Sequence, residues 1–320
     1  MRRIGVVTAG GDAPGMNAAI RSIVRAATYH GLEVMGIERG YAGLIEGPVR
    51  PLDSRSVSGI INRGGTILRT ARCEEMKTSQ GIQKAKNTLK NNGIDSLIVI
   101  GGDGSFKAAS EIHEASRLPI IGVPATIDND VAGTDTTIGF DTAVNTALFT
   151  IDRIRDTATS HERIFVVEVM GRRRGFLALE VGLAEGAEFI LIPEVRYNTQ
   201  DICRKLEQGR RKGKVSEIIV MAEGAGNSAT IAEQIRRKTG YDVRLTILGH
   251  AQRGGPPTAR SRILANQFGA YAVELLLEGA RKNMVGMKGR KTVSVDLDYA
   301  WKERKDLDMS RYRLAEILSS

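Results

Sequence analysis

Two short acidic turns carry the side chains in this sequence best suited to do chemistry. In one, Thr126-Ile127-Asp128-Asn129-Asp130 follows the apolar run Ile120 to Val123 and sets two carboxylates two residues apart. In the other, Leu97-Ile98-Val99-Ile100 leads into Gly101-Gly102-Asp103-Gly104-Ser105. Carboxylates just beyond a buried strand stand where ligands sit in open α/β sheets. At the first turn, one carboxylate could accept a proton from an attacking hydroxyl while the other helps hold Mg2+. At the second, glycines would let a polyphosphate lie against bare backbone, with Asp103 as the hard oxygen ligand for Mg2+. The local alternatives are an Asx-turn at Asp128 to Asp130 and a tight strand-to-helix turn capped by Asp103. A cap does not require three glycines, which favours a ligand at the second turn. The first turn stays open on local grounds. Together the two turns point to phosphoryl transfer.

Other polar residues fit an anionic ligand. Ala9-Gly10-Gly11-Asp12-Ala13-Pro14-Gly15 follows the β-branched run Ile4 to Thr8 and precedes a helical period at Ala19, Ile20, Ile23, Val24 and Ala27. Such a turn offers backbone N–H groups at a helix N-terminus, a phosphate site. It is neither a Walker A loop nor the dinucleotide G-x-G-x-x-G. His250 and Arg253 lie three apart among glycines, and Arg163, Arg172 and Arg244 are scattered through the second half. A lone histidine is usually structural, but arginines gathered by a fold suit a bidentate grip on phosphate. Arg21 and Arg25 share a helix face; on spacing alone a solvated face explains them better than an anion.

The positioning elements read as alternating strands and helices. Strands are expected at Ile4 to Thr8, Leu32 to Ile37, Leu97 to Ile100 and Ile120 to Val123, the last ending at Pro124, which cannot donate to a ladder. Helices are expected near Ile82 to Asn91 and Thr142 to Asp156. The pattern then restarts with strands at Ile164 to Val169, Phe189 to Ile192 and Ile218 to Ala222, each followed by Gly, Pro or charge. This predicts two doubly wound, Rossmann-like α/β domains with a catalytic cleft between them. The segment Leu245 to Gly255 returns the chain to that cleft, and Pro256-Pro257 precedes a helix ending near Gly279.

Composition narrows the classes. At 320 residues the chain exceeds the length at which a single core stops growing, so two domains are expected. The net charge of +9 favours anionic partners, but aromatics at 5% and the lack of a Lys/Arg tract interleaved with rings argue against nucleic acid. Cys73 and Cys203 alone make no disulfide framework. The apolar start is broken by Gly10-Gly11-Asp12 before a signal peptide can form, and no run is long enough to span a membrane. A cytoplasmic location is expected.

Taken in order, Gly10-Gly11-Asp12-Ala13-Pro14-Gly15-Met16-Asn17, Gly101 to Ser105, Thr126 to Asp130, Met170-Gly171-Arg172 and Gly249-His250-x-Gln252-Arg253-Gly254-Gly255 resemble the bacterial-type 6-phosphofructokinase family over nearly the whole chain. The resemblance implies transfer of the ATP γ-phosphoryl group to the 1-hydroxyl of fructose 6-phosphate in glycolysis. It implies Asp128 as base, Asp103 and Asp130 at Mg2+, and Thr126 and Arg172 on the moving phosphoryl group. Gly11, Arg72, Cys73, Gly102, Asp103, Gly104 and Ser105 match ATP contacts. Thr126, Ile127, Asp128, Met170, Gly171, Arg172, Glu223, His250, Ala251, Gln252 and Arg253 match contacts to the sugar phosphate. Arg163 and Arg244 match arginines lent by a neighbouring subunit, which implies a homotetramer with a shared substrate site.

The same resemblance implies an ATP/Mg-binding domain of residues 1–139 with 252–302, and a fructose 6-phosphate domain of residues 140–251 with 303–320. It also implies an effector site for ADP or phosphoenolpyruvate at Arg21, Arg25, Arg55, Arg155, Gly186, Glu188, Lys212 and Lys214. This moves Arg21 and Arg25 towards anion binding. Ser54 replaces an arginine of that site and Gly59 an acidic residue. Pyrophosphate-dependent relatives carry Asp where Gly104 stands and Lys where Ala125 stands, so ATP is the expected donor and pyrophosphate the alternative. A catalytically weak nucleotide sensor would have lost Asp103, Asp128 or Arg172, and all three are present.

Overall fold

The computed structural model describes residues 2–319. The chain divides into two compact units, residues 1–142 with 253–305 and residues 143–252 with 306–320. The first unit begins with β1 (Arg3–Thr8), α1 (Met16–Tyr29), β2 (Glu33–Ile37), α2 (Gly40–Glu46) and β3 (Val49–Leu52). It continues through α3 (Ser79–Asn91), β4 (Ser96–Gly101), α4 (Asp103–Ser116), β5 (Ile120–Thr126) and the two-residue β6 (Ile138–Gly139). Helix α5 (Phe140–Ser160) leads into the second unit, with β7 (Ile164–Val169), α6 (Phe176–Glu185) and β8 (Phe189–Leu191). There follow α7 (Thr199–Arg211), β9 (Glu217–Ala222), α8 (Ser228–Thr239) and β10 (Val243–Ile247). Helix α9 (Ala259–Leu277), β11 (Lys282–Lys288), β12 (Lys291–Asp296) and α10 (Tyr299–Lys302) belong to the first unit, and α11 (Met309–Leu318) to the second.

The first sheet has the order β12-β11-β5-β4-β1-β2-β3. Its inner strands β11, β5, β4, β1 and β2 are parallel, whereas β12 and β3 run antiparallel at the edges. Parallel strands are covered on both faces and therefore read as unbroken apolar runs; Leu97, Ile98, Val99 and Ile100 are all 0% exposed. The chain passes from β1 outward to β2, then from β4 outward to β5 on the other side. The β1–β4 pair is thus the topological switch point, and the loops at its carboxyl ends are the expected ligand crevice.

One sequence expectation needs correction. The fourth apolar run does not stop at Pro124, because β5 continues to Thr126. Pro124 is the last residue in register with β4, opposite Gly101. Ala125 and Thr126 pair instead with Ile138 and Gly139 of β6. The missing amide donor falls where the strand changes partner, so no ladder bond is lost by continuing.

The second sheet, β10-β7-β9-β8, is wholly parallel. The carboxyl ends of its strands therefore share one edge. Its core includes Val166, Ile219, Met221 and Val243, all 0% exposed. Among the described residues no helix is long and apolar enough to cross a membrane.

Helix α1, which follows the first glycine-rich turn, is fixed by close packing on α9. A Cβ at Gly269 would lie 2.7 Å from Ser22 Cβ and 2.9 Å from the Ala19 carbonyl oxygen. Ser22 Oγ donates to the Asn266 carbonyl at 2.7 Å. Gly269→Leu should destabilise the protein by about 1–3 kcal/mol through overpacking, outweighing the gain of about 0.5–1 kcal/mol from removing a helical glycine. A urea-unfolding midpoint equal to wild type would show that the two helices do not need this contact.

Candidate active site

Backbone crowding brings the two glycine-rich loops of the first unit together. The Ala9 amide donates to the Ile100 carbonyl at 2.9 Å, extending the β1–β4 ladder into the loops. A Cβ at Gly101 would lie 2.6 Å from both the Ala9 carbonyl oxygen and Ser105 Oγ, so only glycine fits. A Cβ at Gly11 would overlap the Arg253 guanidinium. Arg253 Nη2 donates to the Asp12 carbonyl at 3.1 Å, and its Nε lies 3.5 Å from Asp12 Oδ1. Gly11 and Arg253, expected at different substrates, are thus in contact.

Gly104 is unlike these glycines. It is exposed, its φ is not left-handed, and a Cβ there would meet nothing within 4 Å. Neither conformation nor packing within the protein demands glycine. It sits in the first turn of α4, where helix amides carry partial positive charge and suit phosphate. The Ser105 and Phe106 amides both donate to the Gly102 carbonyl, at 3.0 and 3.1 Å. The Tyr41 hydroxyl donates to the Ser105 carbonyl at 2.5 Å. Burial pushes the Tyr41 phenol far above its ordinary value, so it acts as a neutral donor.

Arg72 is exposed and Cys73 half-buried against the core of this unit. The loop before them is held by Asn17, which is 1% exposed. Asn17 Nδ2 donates to the Arg63 and Gly64 carbonyls, each at 3.1 Å, and Asn17 Oδ1 accepts the Ile67 amide at 2.7 Å. Thr8 Oγ1 lies 3.0 Å from Thr66 Oγ1 and donates to the Arg69 carbonyl at 2.8 Å.

The Asp128 turn leaves the adjacent strand. A Cβ at Gly102 would stand 3.9 Å from Thr126 Cβ, so the phosphate-suited loop and this turn adjoin. Thr126 Oγ1 accepts the Asp128 amide at 3.2 Å and donates to Asp128 Oδ2 at 3.4 Å. Asp128 is 7% exposed and Ile127 2% exposed. Asn129 has φ 53°, the left-handed region that asparagine tolerates better than most residues. Lys305, beyond the resemblance motifs, donates to Asn129 Oδ1 at 2.9 Å and to the Asp135 carbonyl at 3.0 Å. Burial, with some help from Lys288, lowers the Lys305 ammonium to about 8 against the opposing pull of Asp135 and Asp130. Among the described residues no group of three or more His, Cys, Asp or Glu side chains forms a ready metal cage. Asp103 and Asp130 lie on the two adjoining loops, at the start of α4 and after β5.

In the second unit the loops after β7 and β9 interlock. Gly171 has φ 136° and Arg172 φ 56°. The Arg172 amide donates to Glu223 Oε1 at 2.6 Å, and a Cβ at Gly224 would overlap the Arg172 carbonyl. Met170 is held from below, its amide donating at 2.9 Å to Oε1 of Gln252, which is 0% exposed. His250 and Ala251 are exposed. Arg174, which has no counterpart in the sequence motifs, lies 3.8 Å from Glu194, whose Oε1 accepts the Gly175 amide at 3.1 Å.

Sequence reasoning missed Asp242. Arg163 Nε donates to its Oδ2 at 2.7 Å, while Arg244 Nε is 2.9 Å from Oδ1. The Arg163 hydrogen bond is the largest influence holding the Asp242 carboxyl below its usual range. The i, i+2 spacing of Asp242 and Arg244 was the only local signal.

The expected effector residues fall in both units. In the first, Arg25 Nη2 donates to the Ser54 carbonyl at 3.3 Å, Arg21 is half-buried and Arg55 exposed. In the second, Arg155 Nη2 donates to the Glu185 carbonyl at 2.6 Å, and Glu188 accepts the Ile218 amide at 2.7 Å with Lys214 3.8 Å away. Gly186 and Lys212 end α6 and α7.

Residues 3–276 match the phosphofructokinase family. The chain is 55% identical, with all of both chains covered, to a protein of Halothermothrix orenii named ATP-dependent 6-phosphofructokinase. It superposes with TM-score 0.90 on the phosphofructokinase structure from Saccharomyces cerevisiae, at 35% identity, covering 94% of this chain and 45% of the yeast one. A pyrophosphate-dependent phosphofructokinase from Marinobacter aquaeolei shares the fold, with TM-score 0.87 at 21% identity over 97% of this chain and 86% of that one. The chain belongs to the phosphofructokinase family.

Because Asn17 closes the 63–67 loop through three hydrogen bonds, Asn17→Ala should cost about 1–3 kcal/mol by leaving buried groups unpaired. Amide hydrogen exchange at Ile67 should quicken selectively. Unchanged protection there would mean the loop is held by something else.

Proposed function

We propose that the chain transfers the γ-phosphoryl group of ATP to the 1-hydroxyl of fructose 6-phosphate, giving fructose 1,6-bisphosphate and ADP. The observation that carries this is the adjacency of the α4 N-terminus and the Asp128 turn, with Gly102 facing Thr126 across neighbouring strands. A helix terminus suited to phosphate therefore lies beside a nearly buried carboxylate able to take a proton. The full-length relative at 55% identity, named for ATP as donor, supports the same reading.

In this reading the first unit binds ATP and the second binds fructose 6-phosphate. Gly11, Arg72, Cys73 and the Gly102 to Ser105 loop receive ATP. Asp128 takes the proton of the 1-hydroxyl as its oxygen attacks the γ-phosphorus and ADP leaves. Thr126 and Arg172 offset charge on the phosphoryl group, as a loose, metaphosphate-like transition state requires. Asp103 and Asp130 would hold Mg2+, which when bound neutralises charge on the phosphate oxygens. Met170, Gly171, Glu223, His250 and Arg253 receive the sugar phosphate.

Gln252 supports the Met170 backbone, which is how a buried residue can serve that site. Arg163 and Arg244, forked on Asp242, are the arginines lent to a neighbour in a homotetramer. Arg21, Arg25, Arg55, Arg155, Gly186, Glu188, Lys212 and Lys214 form an effector site for ADP or phosphoenolpyruvate. A cytoplasmic location belongs to the same proposal.

Asp128→Asn should lower kcat by about 10²–10⁴-fold with little change in KM, as expected for an interaction made in the transition state. A pure KM effect in a coupled assay would remove Asp128 as base. Gly104 sets the donor. Gly104→Asp meets no protein atom and should fold normally, yet put a carboxylate where ATP lies. Its kcat/KM for ATP should fall by about tenfold or more, about 1.4 kcal/mol. Equal use of ATP by the variant and wild type, or faster turnover of wild type with pyrophosphate than with ATP, would reverse the donor assignment.

A further inference from the structure

The proposed reaction leaves Lys305 unused, although it reaches the catalytic turn from the far end of the chain. Lys302, Glu303 and Arg304 just before it are exposed, whereas Lys305 turns inward. Its ammonium joins Asn129 Oδ1 at 2.9 Å to the Asp135 carbonyl at 3.0 Å. Asn129 Nδ2 donates to the same carbonyl at 3.3 Å. The ammonium thus reinforces a loop that Asn129 also spans directly, where Thr137 Oγ1 donates to Asn129 Oδ1 at a longer 3.5 Å, with Asn129 at φ 53° between Asp128 and Asp130. Left-handed backbone is uphill for any residue with a Cβ and persists where its surroundings impose it. Withdrawing an ammonium from water is also costly, and is tolerated where hydrogen bonds and nearby charge compensate. The exposed residues around it show that the chain has water close by, so this inward turn reflects the contacts it makes.

We propose that Lys305 is a positioning residue for phosphoryl transfer, fixing Asn129 in its left-handed conformation and so setting where the Asp128 and Asp130 carboxylates stand. This rests on the function proposed above. Its hydrogen bonds to Asn129 and to the Asp135 carbonyl act on the shape of the turn. Misplacing a catalytic carboxylate by about 1 Å can cost about 10²-fold in rate, so the effect belongs in kcat.

The test is steady-state kinetics of the full-length protein with ATP, Mg2+ and fructose 6-phosphate, for wild type, Lys305→Met, Asn129→Ala and the double variant. Lys305→Met should lower kcat by about 10–100-fold with KM for ATP within about twofold. Asn129→Ala should fall similarly, and the double variant should lose little more than either single one, because both act through one turn. A wild-type kcat in Lys305→Met, a loss confined to KM, or fully additive losses would each overturn the proposal. Should Lys305→Met not fold, Asn129→Ala decides alone, and a wild-type kcat there is fatal to the idea. Wild-type protein that makes no fructose 1,6-bisphosphate would instead remove the proposed function itself.

Discussion

Where β1 and β4 leave the first sheet, two backbones approach so closely that one of them cannot carry a side chain. A Cβ at Gly101 would stand 2.6 Å from the Ala9 carbonyl oxygen. That crowding follows from the parallel pairing of β1 with β4 continuing to the Ala9 amide. It sets the α4 N-terminus beside the Gly10-Gly11 loop and, through the β4–β5 register, beside Thr126. The Asp128 turn adjoins the helix amides through the β4–β5 register, and the Arg253 guanidinium lies over Gly11. The switch point of an open sheet becomes a site because its loops are forced together there.

The glycines of this region divide by cause. Gly101 and Gly11 make room for other parts of the same protein, the Ala9 backbone and the Arg253 guanidinium. Gly104 makes room for nothing in the protein. A glycine that neither conformation nor packing within the protein explains leaves room for a bound molecule; that this molecule is ATP is what the family resemblance implies. The second unit uses its glycines differently: Gly171 and Gly224 let the Arg172 loop lie against the loop carrying Glu223, so an exposed arginine rests on a constrained backbone.

Strands such as β4 and β9 were legible in the sequence because both their faces are buried, which turns each into an apolar run, Leu97 to Ile100 and Ile218 to Ala222. The two site turns were legible because glycines and carboxylates sit at the ends of those runs; their roles came from the resemblance. Strands β3, β6, β10, β11 and β12 escaped notice: β3 is four residues long and includes Pro51, β6 has two residues, and β10, β11 and β12 mix polar with apolar positions. Pro124 misled because a rule about donors is local, whereas the change of partner from β4 to β6 is tertiary. The links from Asp242 to Arg163 and from Lys305 to Asn129 were hidden for the same reason, spanning 79 and 176 residues, beyond any periodic signal.

The split of the first unit across the chain bears on how the protein is made. The second sheet is drawn from one continuous stretch, residues 164–247, and every strand of it has emerged before α9 is synthesised. The first sheet must wait. Until residues 282–288 leave the ribosome, β5 lacks β11 and presents an unpaired edge, and until α9 arrives the Ser22 side of α1 has nothing to pack on. Open edges and bare apolar surface are what nascent chains aggregate through. Of the two sheets, the one that begins the chain is therefore completed later, and the β11–β12 hairpin serves as an intramolecular cover for an edge made more than a hundred residues earlier.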